Sequence, residues 1–203
     1  MSNSLYLGLV HYPVYNRKNE IVTTSITNLD LHDIARSCKT YGVKTFFCIN
    51  PLESQNILMT RIKDFWQTDA ALKFNSDRVE AFKILQYSKA IEDAKKMIMN
   101  QEGYDPIVVT TTAMVVDNQI AVNDLVEIQE NINRPILLLF GTGGGLVKDI
   151  HDSVDYTLLP LNGVDNYNHL TVRSAVAIYL DRFSSEKYRR NYGYSSSVRK
   201  GKS

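Results

Sequence analysis

The sequence lacks three features that would assign it to a membrane, an exported or a metal-binding class. No apolar run reaches the about 18 residues of a membrane-spanning helix. The N-terminus has no basic region followed by a long apolar stretch, so we expect no export signal. The two cysteines, Cys38 and Cys48, have no spacing typical of metal or redox sites, and we interpret both as reduced core residues. These absences predict a cytoplasmic protein without a metal site.

The net charge is also small, with a formal value of +1. The basic residues are nevertheless uneven along the chain. Residues 185–203 contain a single acid, Glu186, among Lys187, Tyr188, Arg189, Arg190, Tyr192, Tyr194, Arg199, Lys200 and Lys202. Basic residues interleaved with aromatic ones are typical of an RNA-binding segment, but a solvated terminus has the same composition. We therefore divide the chain into a domain of residues 1–184 and a basic, tyrosine-containing tail of residues 185–203.

Strand and helix patterns alternate along the chain. The predicted strands are Leu5–Val10, Val43–Ile49, Ala81–Gln86, Ile107–Thr111, Pro135–Phe140 and Tyr156–Leu159, and the main predicted helices begin at Asn28, Pro51, Ser88, Asn123 and His169. The last helix is expected to end near Phe183. This alternation predicts an α/β fold, with a mostly parallel sheet and helices on both of its faces.

The turn Gly141–Gly145 contains four of the ten glycines of the chain and follows the most apolar strand. Glycine lets a backbone approach a ligand without a Cβ atom in the way. The dinucleotide pattern GxGxxG fails here because Leu146 occupies its last position, and the GxxxxGK[ST] pattern is absent. The turn therefore does not indicate a pyrophosphate site, and a tight turn without a ligand stays an alternative.

Two other predicted strands end in similarly small or polar turns. In parallel sheets, ligands bind beyond the carboxyl ends of the strands, and these turns offer backbone polar groups and few charges. A largely uncharged ligand such as adenosine fits them better than a polyphosphate. The candidate binding residues are Thr110, Thr111, Thr112, Ala113, Phe140, Gly141, Thr142, Gly143, Gly144, Gly145, Leu159, Pro160, Leu161, Asn168, Leu170 and Thr171.

Two of these turns, and the first predicted helix, resemble the motifs of the SPOUT class of RNA methyltransferases. The second motif of that class is a strand and a Gly-rich turn ending in Gly-Leu, like residues 139–146. The third passes from a strand with a proline, through a glycine, into a helix, like residues 158–163 and 169–178. The first places an arginine in a helix before an aromatic-Gly pair, as Arg36 lies before Tyr41 and Gly42. The whole chain resembles a bacterial branch whose domain can occur fused to a tRNA guanine-N1 methyltransferase.

The resemblance implies a fold, a cofactor and partners that periodicity alone does not reveal. It implies a deep trefoil knot in the C-terminal part of the sheet, which is a rare topology. It also implies that S-adenosylmethionine (SAM) is the cofactor and that RNA, either tRNA or rRNA, is the substrate. Members of the class are usually homodimers that share the substrate cleft, with the closing helix in their interface.

The chain departs from the ribose-methylating branch of the class at its polar positions. That branch has a glutamate in the second motif, where this chain has only glycines, and an asparagine where Asp30 stands. Its third motif has serine, asparagine and serine where this chain has His169, Thr171 and Arg173. Ribose 2′-O methylation and base methylation therefore both stay open.

The catalytic candidates are Arg36, Asp30 and His32, because a hydroxyl or ring N–H acceptor needs a base to remove its proton. Arginine is a poor base, so Arg36 is expected to bind phosphate or orient the acceptor, or else to form a surface ion pair. Asp30 and His32 are two residues apart and do not share a helix face. His11, after the first strand, is a further candidate for the same cleft.

Two hypotheses compete with an RNA methyltransferase. The shortened second motif, with its missing glutamate, is also compatible with an RNA-binding protein of this class that no longer catalyses. The other alternative is a nucleotide-binding α/β enzyme without a knot, because strand and helix alternation alone does not distinguish the two folds.

Overall fold

A central sheet flanked by helices forms the computed structural model of this chain, which describes residues 4–165 and 167–192. The strands are β1 (Leu5–Val10), β2 (Val14–Tyr15), β3 (Ile21–Val22), β4 (Thr45–Ile49), β5 (Leu85–Ser88), β6 (Ile107–Thr110), β7 (Gln119–Ile120), β8 (Ile136–Gly141) and β9 (Tyr156–Leu158). The helices are α1 (Asn28–Thr40), α2 (Glu53–Phe65), α3 (Asp69–Phe74), α4 (Ser76–Phe82), α5 (Ile91–Glu102), α6 (Val122–Ile132), α7 (Lys148–Ser153) and α8 (Val172–Tyr192).

Seven strands pair in the order β5-β4-β1-β8-β6-β9-β7, and each neighbouring pair is parallel. Strands β2 and β3 form a separate antiparallel hairpin. The predicted parallel α/β sheet is therefore confirmed. The strand order is consistent with the knotted arrangement that the resemblance implies, and the passage of the chain through that knot stays a prediction.

Both faces of the sheet are apolar, because successive side chains of each strand point to opposite sides. In β8, Ile136, Leu138 and Phe140 belong to the core on one face, which α1, α6 and α8 cover. Leu137 and Leu139 belong to the core on the other face, together with residues of α5 and α7. The central strands are buried on both sides, which explains why β8 is a continuous apolar run rather than an alternating one.

Several predicted boundaries differ from the structure. The segment Ala81–Gln86 is not one strand, because α4 ends at Phe82 and β5 begins only at Leu85. Helix α1 is capped by Thr27 rather than Asn28, since the Thr27 side chain accepts a hydrogen bond from the Asp30 backbone N–H. The short β2–β3 hairpin and β7 were not predicted, because strands of two residues are too short to show a period.

The closing helix α8 begins after the predicted His169 and continues beyond the predicted Phe183. At its start, the Thr171 hydroxyl accepts a hydrogen bond from the Ser174 backbone N–H at 3.2 Å. Near its end, Arg190 contacts Glu127 at 2.7 Å and Glu130 at 3.3 Å on α6. Part of the predicted basic tail is therefore helical, whereas residues 193–203 lie outside the described residues, and RNA binding by the tail stays a prediction.

The described residues contain neither a membrane-spanning helix nor a metal-binding cluster. No helix within residues 4–165 and 167–192 is long and apolar enough to cross a membrane. In the same part of the chain, no group of three or more His, Cys, Asp or Glu side chains is arranged to hold a metal ion. Cys38 and Cys48 are buried and not disulfide-bonded, and burial raises the pKa of both thiols.

Candidate functional site

A cleft of about 1030 Å³ lies at the carboxyl ends of β6 and β8, between the Gly-rich turn and the start of α8. This is the edge at which ligands bind in parallel sheets. Most of the predicted binding residues line it, from all three turns: Thr111, Thr112, Ala113, Phe140, Gly141, Thr142, Gly143, Gly144, Gly145, Leu161, Asn168, Leu170 and Thr171. The structure thus brings the three predicted turns together around one cleft.

Three predicted binding residues do not line this cleft. Thr110 is buried, and its hydroxyl is hydrogen-bonded to His151 Nδ1 at 2.9 Å and to Thr157 Oγ1 at 2.8 Å. Leu159 and Pro160 line a different surface depression. The carbonyl oxygen of Leu159 accepts a hydrogen bond from the Tyr179 hydroxyl at 2.8 Å. Thr110 and Leu159 therefore contact neighbouring elements of the fold rather than the space of the cleft.

The Gly-rich turn is hydrogen-bonded to the β2–β3 hairpin. The backbone N–H of Gly144 donates to the Tyr15 carbonyl at 2.6 Å, and the Tyr15 N–H donates to the Gly145 carbonyl at 2.9 Å. A Cβ atom at Gly143 or Gly144 would lie 2.9 or 2.8 Å from the Tyr15 carbonyl oxygen, closer than carbon and oxygen can pack. The glycines therefore make room for a neighbouring backbone of the same chain, and Gly143 and Gly145 also have positive φ values of 60° and 101°.

A chain of hydrogen bonds links the cleft wall to the buried His11. The Thr142 hydroxyl donates to the Val10 carbonyl at 3.1 Å, so it accepts its other bond from Thr24 Oγ1 at 2.5 Å. Thr24 Oγ1 in turn accepts from His11 Nδ1 at 2.9 Å. This assigns the proton of neutral His11 to Nδ1, and its Nε2 is buried without a partner among the described residues. Burial lowers the pKa of His11 to about 4.

Asp30 reaches the cleft from the first turn of α1, and both of its carboxylate oxygens are hydrogen-bonded. The Thr27 hydroxyl donates to one oxygen at 2.6 Å, and Arg173 of α8 donates to the other at 3.0 Å. Arg173 also contacts Asp33 at 3.3 Å. The ion pair therefore joins the helix of the first motif to the helix of the third, and the carboxylate of Asp30 is only 13% exposed.

Arg36 and His32 do not line the cleft. His32 packs between the rings of Trp66 and Phe82, with ring centroids 5.2 and 4.6 Å away, and its Nδ1 is buried without a partner in the described part of the chain. Burial and the nearby Arg78 lower the pKa of His32. Arg36 is exposed one turn further along α1. The helical period explains this, because residues two or six positions from Asp30 point away from its face.

Sequence reasoning missed several residues of the cleft. They are Arg17, Thr24, Ser25, Thr27, Met114, Tyr167, His169, Val172, Ala175 and Tyr179. The earliest of them lie in and after the β2–β3 hairpin. Its polar turn, residues 16–20, lies between the apolar pairs Val14–Tyr15 and Ile21–Val22, and this pattern is a weak hairpin signal in the sequence.

Two solved structures with the same fold are named as SpoU enzymes. The TrmH/SpoU tRNA modifying enzyme of A. aeolicus is 14% identical, and the match covers 95% of this chain and 78% of that one, with a TM-score of 0.54. The SpoU methyltransferase AviRb of Streptomyces viridochromogenes, solved with AdoMet, is 14% identical over 92% of this chain and 59% of its own, with a TM-score of 0.56. At these identities the likeness shows the fold alone, which is that of the SPOUT class.

Sequence relatives define the family more narrowly. The family model described as SAM-dependent RNA methyltransferase matches residues 4–185. An uncharacterized protein of Aquifex aeolicus (strain VF5) is 32% identical over 91% of this chain and 90% of its own. The tRNA (guanine-N(1)-)-methyltransferase of Nitratidesulfovibrio vulgaris is 38% identical over 91% of this chain, which spans only 43% of that protein. The chain belongs to the family of SAM-dependent RNA methyltransferases, and the predicted class, cofactor and enzymatic function are confirmed.

The buried histidines make the stability of this fold depend on pH. The unfolded chain binds a proton on His11 near pH 6.5 and the folded chain only near pH 4, so unfolding takes up a proton between these values. We expect the free energy of unfolding to fall as the pH is lowered from about 7 to about 5, by about 2 kcal/mol for His11. Lowered pKa values of His32 and His151 act in the same direction.

Urea unfolding of the unmodified chain and of His11→Asn at both pH values measures this effect. The variant should show a smaller difference between the two pH values, whatever its absolute stability. An equal difference in both proteins would contradict a buried, neutral His11.

Proposed function

We propose that this cleft binds SAM together with one nucleotide of a tRNA, and that the chain transfers the methyl group of SAM to that nucleotide. The observation that carries the proposal is the convergence of three largely uncharged turns on one cleft. The tRNA substrate is supported by relatives in Nitratidesulfovibrio vulgaris and Oleidesulfovibrio alaskensis, both named tRNA (guanine-N(1)-)-methyltransferase. The chain spans 43% and 41% of those proteins, so their whole activity is not carried over.

The residues of the cleft fit SAM in size and polarity. A volume of about 1030 Å³ accommodates a nucleoside-sized ligand and leaves space for an acceptor nucleotide. Phe140, Leu161 and Tyr179 supply apolar walls, while Thr111, Thr112 and Thr171 supply hydroxyl groups. When bound, SAM brings a methyl group already activated by its sulfonium, so the protein mainly has to orient the acceptor and remove its proton.

We keep Asp30 as the predicted base, because it is the catalytic candidate that lines this cleft. Thr27 and Arg173 each donate a hydrogen bond to one of its two oxygens. A carboxylate has about four lone-pair positions, so Asp30 can still take up a proton from the nucleotide that is methylated. In this proposal the hydrogen bond from Arg173 fixes the carboxylate of Asp30 in its position beside the cleft. Whether the proton comes from a ribose hydroxyl or a base nitrogen stays open.

Gly144 provides a test of the cofactor site. In Gly144→Ala the new Cβ atom would lie 2.8 Å from the Tyr15 carbonyl oxygen and 3.1 Å from that of Asn16, so the hairpin or the turn must shift. We expect the affinity for SAM, measured by titration calorimetry, to fall by at least about tenfold, or about 1.4 kcal/mol.

Gly103→Ala is the control for a glycine lost elsewhere in the chain, because Gly103 ends α5 away from the cleft, with a positive φ of 79° that alanine rarely adopts. A Cβ atom at this position would meet no other described atom within 4 Å. The variant should lose stability and keep its affinity for SAM. Equal affinities in all three proteins would argue against SAM binding at the Gly-rich turn, and no binding by the unmodified chain would reject the proposed function.

Asp30→Asn tests the catalytic step. The amide can still accept a hydrogen bond from Arg173 but cannot take up a proton, so we expect methyl transfer to tRNA to slow by at least about 100-fold. Mass spectrometry of the nucleosides measures the transfer and identifies the modified atom. Asp33→Asn is the control, because Asp33 also contacts Arg173 but is 52% exposed and does not line the cleft. Similar rates in both variants would exclude Asp30 as the base.

We also propose that the chain works as a homodimer, as the resemblance to the SPOUT class implies. Large apolar side chains around the cleft mouth support a covering partner, because Met114, Tyr167 and Leu170 are 62%, 76% and 50% exposed. In a dimer that shares its clefts, the exposed Arg36 of one copy is available to the cleft of the other. This arrangement is compatible with the predicted role of Arg36, which does not line the cleft of its own chain.

Sedimentation equilibrium tests the dimer. We expect a particle of twice the chain mass of 23.1 kDa, and a shift toward the monomer in Tyr167→Ser if the apolar rim is part of the interface. A monomer at all concentrations would contradict the proposal, and an unchanged dimer in Tyr167→Ser would place the interface elsewhere.

A further inference from the structure

We propose that Arg17, on the tip of the β2–β3 hairpin, binds a backbone phosphate of the RNA beside the nucleotide that enters the cleft. This inference rests on the proposed function and adds a specific RNA contact to it. It concerns a residue outside all three segments that resemble the SPOUT motifs.

The charges around the cleft support an anion at this position. Among the described residues that line the cleft, Arg17 is the only arginine or lysine. The acidic group there, Asp30, is already paired with Arg173. Within residues 4–165 and 167–192, Arg17 forms no hydrogen bond, ion pair or ring contact, so its guanidinium is available. A planar guanidinium with paired N–H donors matches the oxygens of a phosphate.

The backbone that carries Arg17 is held in place. The Asn16 side chain accepts hydrogen bonds from the N–H groups of Lys18 and Glu20 at 2.8 and 3.0 Å, and it donates to the Glu20 carboxylate at 2.7 Å. Asn19 adopts the left-handed conformation, with φ of 59°, that closes the turn. Because the Tyr15 backbone is hydrogen-bonded to the Gly-rich turn, the backbone of Arg17 is held beside the cleft.

The exposure of Arg17 favours a phosphate of RNA over the carboxylate of SAM. Arg17 is exposed, whereas Phe140, at the start of the Gly-rich turn, is 1% exposed. A small cofactor buries most of its surface inside a cleft. An RNA inserts one nucleotide and leaves its backbone at the rim, where phosphates meet solvent-exposed arginines. The position therefore fits the backbone next to the acceptor nucleotide.

The test compares Arg17→Gln with Lys18→Gln. Lys18 is the adjacent cation on the same hairpin, exposed like Arg17 but not lining the cleft. Binding of unfractionated bacterial tRNA is measured at several salt concentrations, and SAM binding by calorimetry. We expect Arg17→Gln to weaken tRNA binding about tenfold and to reduce the salt slope by about 1. Its SAM affinity should stay unchanged, and Lys18→Gln should have a clearly smaller effect on tRNA.

The possible results separate this inference from the proposed function. Equal tRNA losses in the two variants would show diffuse attraction and overturn the assignment to Arg17. A loss of SAM affinity in Arg17→Gln would assign the guanidinium to the cofactor and overturn it as well. If the unmodified chain binds SAM and tRNA while Arg17→Gln binds both equally well, only this inference fails. If the unmodified chain binds no tRNA, the proposed substrate fails with it.

Discussion

The contact between the Tyr15 backbone and the Gly-rich turn is the constraint on which the site depends. Two backbone hydrogen bonds join segments that are far apart in sequence, and they form only because Gly143 and Gly144 have no side chains. The contact brings Thr24 against Thr142 and holds Arg17 at the rim of the cleft. One wall of the cleft is therefore built by a hairpin that lies outside the main sheet.

This contact also indicates that the glycines of the turn serve packing within the protein rather than phosphate binding. In a phosphate-binding loop, the free N–H groups of the turn bind the ligand. Here the N–H of Gly144 already donates to Tyr15, and that of Gly145 donates to the Thr142 carbonyl. The conformational freedom of glycine, which costs entropy on folding, serves a close approach within the protein. In the proposed SAM site, the ligand is therefore recognised mainly by the hydroxyls and apolar walls around the turn, in agreement with the absence of a phosphate-binding pattern.

The sequence alone predicts most strands of the main sheet, its longer helices and the three turns, because long apolar periods and strand-end turns are local signals. It does not predict the short helices α3 and α4 or the short strand β7. It does not predict the β2–β3 hairpin, whose strands of two residues have no measurable period. It also does not predict that Asp30 pairs with Arg173, since that contact joins residues brought together only by the packing of α1 against α8. The resemblance to a family identified the motif that contains Arg36, yet only the helical geometry reveals that Asp30 and Arg36 lie on different faces of α1.

The Asp30–Arg173 pair gives the two motif helices a physical connection. A partly buried ion pair is costly to break on one side, because the remaining charge loses its partner, so α1 and α8 resist moving independently. Helix α8 begins directly after the third turn that lines the cleft, whereas α1 begins after the segment that follows the hairpin. The pair thus fixes the distance between two sides of the cleft, one formed near the start of α8 and the other near the start of α1. A catalytic site has to hold its reacting groups within about 0.5 Å of the productive geometry. A rigid link between these two helices therefore agrees with the proposed methyl transfer, which needs donor and acceptor held in line.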